Sequence, residues 1–230
     1  MAADSHGEAL VAQVIDRVSG NPQLLSDHYH QHVLRRPKPL PATVLDTLTF
    51  PSGKPLPPSL RRWLAFDASW LAGLGWFDPL RTALTPRPLG QIAEAEYGAV
   101  FASYGEDAPE DYRFDPISLW HRTDRYFPEC FLLPDGSDSR RVFAVTEPDA
   151  HGEYPVLVTD IDDEMYLAVM YPGFDVYLAE RTGVVDAGHR DTYTNLARHP
   201  VYRERMAAHA AGAPFDGSTS GLDLMELTDP

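Results

Sequence analysis

A single cysteine, Cys130, stands in 230 residues, which excludes an internal disulfide and leaves no CxxC pair for zinc or redox chemistry. Positive charge is scarce too: 19 Lys and Arg face 34 Asp and Glu, a formal net charge of −15. A nucleic-acid binder needs a basic face to displace counterions, and the densest basic stretch, Arg35-Arg36-Pro37-Lys38, is too short to supply one. No nucleic-acid partner is therefore expected. No apolar run reaches the ~18 residues of a membrane span and no signal-peptide core is present, so the expectation is a cytoplasmic protein without membrane contact. Glycine-rich phosphate cradles are missing. A nucleophile elbow is missing as well, because Gly217-Ser-Thr-Ser-Gly221 has threonine at its centre.

What is present is an ordinary globular balance, 43% hydrophobic and 23% charged, sufficient for one sizeable core. Leu10, Val14 and Val18 recur every fourth residue with Val11 and Ile15 beside them, which predicts an amphipathic helix stopped at Gly20-Asn21-Pro22. A second short helix is expected over 24–34. Prolines 37, 39, 41, 51, 55, 57 and 58 predict an extended connector with little regular structure, running over the surface. Pro58 then opens a helix with Leu60, Trp63 and Leu64 on one stripe, and Gln91–Tyr104 reads as another.

The second half turns to β. Strands are expected at Glu129–Leu133, Arg141–Val145, Tyr154–Asp160, Met165–Met170 and Phe174–Ala179, and the short breaks between the last three predict an antiparallel meander. A helix split at Pro200 is expected over 192–211. The fold class is α+β, a central antiparallel sheet flanked by N-terminal and C-terminal helices. The division that follows is a helical segment over 1–36, a proline-rich connector over 37–58, an α+β domain over 59–211 and a loose tail over 212–230.

Leu56, Pro57, Leu60, Trp63 and Leu64, followed by the glycine- and aromatic-rich stretch to Phe77 and by the strands at Pro155–Val158 and Val176–Ala179, resemble the SUKH superfamily over roughly residues 56–185. That resemblance implies a non-catalytic protein-binding domain, in bacteria often an immunity protein that neutralises a toxin of its own lineage, in fungi a regulator of cell-wall assembly. A basic toxin domain is the partner it suggests, since an acidic surface would steer such a partner in. No cofactor is expected, and the oligomeric state is left open.

Several clusters offer chemistry. Asp160, Asp162, Asp163 and Glu164 crowd one break, where carboxylates either hold a hard cation or form a solvated turn. EF-hand spacing is absent, and the turn, as an interaction surface, is the expectation. With a histidine, the same carboxylates define the alternative, a metal-assisted hydrolase. His28 and His32 share a helix face, yet Tyr29 stands where a metalloprotease helix carries its Glu, so surface histidines are expected. His121, Asp124 and Glu129 could pair as acid and base. Cys130 opens an apolar run and should be a buried, unreactive thiol. Trp76 and Phe77, beside Gly73 and Gly75, are the preferred exposed anchor for a partner.

Overall fold

A computed structural model describes residues 5–25, 36–104, 120–134, 139–160, 166–186, 195–211 and 223–226. Four strands form a meander in chain order: β1 (Cys130–Leu133), β2 (Arg140–Ala144), β3 (Val156–Asp160) and β4 (Tyr166–Tyr171), all antiparallel. The register pairs Phe131 with Phe143 on one face, and Leu132 with Val142 and Leu157 on the other. Both faces are buried, which is why these strands read as continuous apolar runs instead of alternating ones. A short β5 (Asp223–Glu226), from the tail expected to be loose, pairs with β4.

Helices precede and follow the sheet, which makes the fold α+β. The first, α1 (Gly7–Gly20), buries Leu10, Val11, Val14 and Val18 and packs against α3 (Pro58–Leu64) and α6 (Phe174–Arg181). Pro58 sits in the first turn of α3, where its missing N–H costs nothing. Helix α5 (Leu89–Tyr104) covers the opposite face, with the Tyr97 hydroxyl bonded to the Thr159 carbonyl at 3.0 Å. Pro200 does divide the last helix: a 3-10 turn (Asn195–Arg198) is followed by α7 (Pro200–Ala211), which packs on β4. Among the described residues no helix is long and apolar enough to cross a membrane.

Three expectations differ from the structure. Phe174–Ala179 is helix, not strand; it is buried on every side, so its composition carries no helical stripe for the eye to find. Within the connector, Leu40, Leu45, Leu48 and Phe50 are buried, α2 (Ala42–Leu45) makes one helical turn, and Thr49 bridges Pro55. These apolar side chains are integral to the core, and proline there fixes φ without preventing burial. Of the helix expected over 24–34, only the 3-10 turn Pro22–Leu25 falls within the described residues.

Candidate functional site

The chain leaves the one-turn helix α4 (Ser69–Ala72) and reverses at Gly75, whose φ of 77° suits glycine. Trp76 then enters the core. Its indole stacks on Phe131 with ring centroids 4.4 Å apart and donates to the Leu132 carbonyl at 2.7 Å. From that root a small hairpin emerges: Phe77 bridges Leu84, the Asp78 N–H donates to Ala83 at 3.0 Å, and the Thr85 N–H returns to Trp76 at 2.9 Å. The Asp78 carboxylate fills the loop from inside, accepting the N–H groups of Thr82 and Ala83 at 2.6 and 2.7 Å and, more weakly, that of Leu80. Those bonds, Ala83 first, hold its carboxyl below the usual range. At the tip Leu80 is 80% exposed.

The expected anchor is thereby corrected. Trp76 is fully buried and Phe77 half-buried, because the glycines turn the chain and let the indole reach a core that rewards its large apolar area. What the loop presents is Leu80. A solitary exposed leucine is common, but this one is carried on backbone braced by a buried tryptophan below and a carboxylate within.

The acidic break offers less. Asp160 ends β3, is buried, and pairs in register with Tyr166; Asp162, Asp163 and Glu164 lie outside the described residues, as do His28, His30 and His32. Among the described residues no group of three or more His, Cys, Asp or Glu is placed to hold a metal ion. Cys130 is buried at the start of β1, and burial pushes its thiol well above the ordinary range. His121 does meet Asp124, at 3.0 Å through Nδ1, but its Nε2 faces Glu94 at 3.4 Å. Glu129 instead accepts the Ser52 N–H and hydroxyl, both at 2.6 Å. The Asp124 hydrogen bond raises the His121 pKa, and Asp124 also accepts the Gly90 N–H at 2.7 Å, so this trio clamps the start of α5.

A buried charge cluster escapes any reading of local sequence. Arg205 of α7 lies between Asp149, 2.5 Å from its Nε, and Asp175 of α6, which it grips through both terminal nitrogens at 3.1 and 3.3 Å. Asp175 also accepts the N–H of Gly7 at 2.8 Å, tying α1 to α6. Beside them Glu153 accepts the Ser59 N–H at 2.9 Å and shares a hydrogen bond with the Ser59 hydroxyl, linking the 149–153 loop to α3. Burial, and then the neighbouring Asp175, push Glu153 up to about 8. At neutral pH it holds its proton. His6 is pulled below its ordinary value by burial and by Arg205, whose Nη1 lies 3.3 Å from the His6 Nδ1. The guanidinium supplies the positive charge among these carboxylates, and the cluster joins five separate segments.

No protein-family model matches the sequence, and no curated protein matches it. A crystal structure of an uncharacterized protein from Salmonella enterica subsp. enterica serovar typhimurium is similar over 87% of this chain and 89% of that one, with a TM-score of 0.56 and 19% sequence identity. At that identity the similarity concerns the fold.

Proposed function

We propose that the chain is a non-catalytic, cytoplasmic protein-binding domain of SUKH type, an immunity protein that neutralises a basic toxin domain. The observation that carries this reading is the Leu80 loop: an apolar side chain 80% exposed on backbone fixed before any partner arrives. A preorganised anchor loses little conformational entropy on docking and gains the full desolvation of its leucine. The charge of −15 supports the same reading, since it accelerates encounter with a basic surface. The proline-opened helix α3 and the antiparallel sheet fit the family pattern.

The test is binding of the full chain to a basic toxin domain drawn from a panel of bacterial toxins. Its association rate with the full chain should fall about tenfold or more between low and high salt as screening sets in. Leu80→Asp should weaken affinity at least ~tenfold, the scale of one lost anchor, without moving the melting temperature. Absence of binding, or binding indifferent to both changes, rejects the proposal. The hydrolase alternative is decided by melting in Ca²⁺, Mg²⁺ or Mn²⁺: a rise of several degrees that Asp162→Asn plus Asp163→Asn abolishes would put it first.

A further inference from the structure

Where the meander meets α7, a pocket of about 400 Å³ opens, near the small end of the range for small-molecule sites. Its floor is apolar, built from Phe127, Val145, Leu157 of β3 and Val169 of β4, the last two being register partners. Charge is confined to the rim. Lys54 lies 2.9 Å from Glu147 and donates to the Thr146 carbonyl at 2.8 Å, so Glu147, the one carboxylate among the lining residues, is matched. Arg125 is not: its guanidinium carbon sits 4.4 Å from the Tyr126 ring centroid, and among the described residues no carboxylate pairs with it. His209 commits its Nε2–H to the Pro172 carbonyl at 2.9 Å.

With Lys54 and Glu147 cancelling, the rim carries one uncompensated positive charge on a protein whose net charge is −15. That inversion of sign above an apolar floor is selective. A cationic ligand would meet Arg125, while a polyanion would find one guanidinium inside a negative field. A single carboxylate suits the planar fork of an arginine already stacked on an aromatic ring. We propose that this pocket binds a small monocarboxylate with an aromatic or aliphatic body, its carboxylate on Arg125 and its body against Val145, Leu157 and Val169. It shares no residue with the Leu80 loop, so the two readings fail separately.

Isothermal titration of the full chain with phenylacetate, 4-phenylbutyrate and octanoate tests it, with 4-phenylbutanamide and 4-phenylbutylamine as neutral and cationic counterparts. At least one acid should bind saturably at one site per chain, and the amide and amine should bind about tenfold or more weakly, the difference expected for one charge-assisted contact. Arg125→Gln should erase that preference. Ala208→Phe, an exposed helix position on the pocket wall, should block binding while the far-ultraviolet spectrum and melting temperature stay unchanged. Failure of all three acids to bind, equal affinity for the amine, or binding that survives Ala208→Phe overturns the proposal.

Discussion

Replacing Glu153 by glutamine should make the protein's stability less sensitive to alkali. Glu153 is fully buried, and its pKa rises from an ordinary 4.5 to about 8 on folding. A folded pKa above the unfolded one means that the folded state holds the proton more tightly. The stabilisation is therefore complete below pH 4.5 and drains away as pH climbs through about 8. Each unit is worth roughly 1.4 kcal/mol, so the whole window spans on the order of 5 kcal/mol, a large part of a typical domain's stability. The glutamine side chain would have the same shape, with Oε1 accepting the Ser59 N–H and Nε2 facing the Ser59 hydroxyl, but no proton to lose. Urea unfolding of both proteins at a series of pH values should show near-equal stability around pH 5 and an advantage of several kcal/mol for Glu153→Gln around pH 8.5. A difference between the two that stays flat across this range, or that favours the wild type as pH rises, refutes the reasoning.

Arg205→Met should destabilise by about 3–5 kcal/mol, because it leaves Asp149 and Asp175 buried without their cation; chemical denaturation at neutral pH measures it. Trp76→Ala should cost about 3–5 kcal/mol through the cavity beneath the Leu80 loop, whereas Leu80→Ala should leave the denaturation midpoint unmoved. Gly173→Ala should lower the melting temperature by several degrees, since a Cβ there would sit 2.5 Å from the Asp175 Oδ1 and 2.8 Å from the Glu153 Cβ. Cys130 should react with a thiol reagent only as fast as the protein unfolds, and a rapid burst in native buffer would contradict its burial.

The four strands were legible because they are short apolar runs separated by turn residues, although the meander expected through Phe174–Ala179 runs instead through β1 to β4, and α1 and α3 were legible because a stripe and a proline mark them. Phe174–Arg181 was not, since burial all round erases amphipathic contrast. A subtler signal was available: Gly173 before the helix, Asp175 in its first turn and Arg181 in its last follow the usual polarity of helix ends. The Leu80 loop could be guessed only from Asp78 and Pro79, which announce a turn without saying which residue its tip exposes. The charge cluster was out of reach, because His6, Ser59, Asp149, Glu153, Asp175 and Arg205 meet only when the chain has closed on itself.

The bond from the Gly7 N–H to Asp175 spans 168 positions. On a ribosome adding about 5–20 residues each second, roughly 10–30 s separate the appearance of α1 from that of its acceptor. During that interval the stripe of Leu10, Val11, Val14 and Val18 gains α3 for cover once residues 58–64 have been made, but has neither α6 nor the arginine that steadies Asp175. The first helix to be made is thus among the last to be secured, and the nascent chain spends most of its synthesis with a greasy flank open to chaperones and to other nascent chains. Ribosome-stalled chains ending just after Asp160 should be cut within α1 by a protease, and chains released at full length should resist it; equal resistance would show that α3 alone is enough.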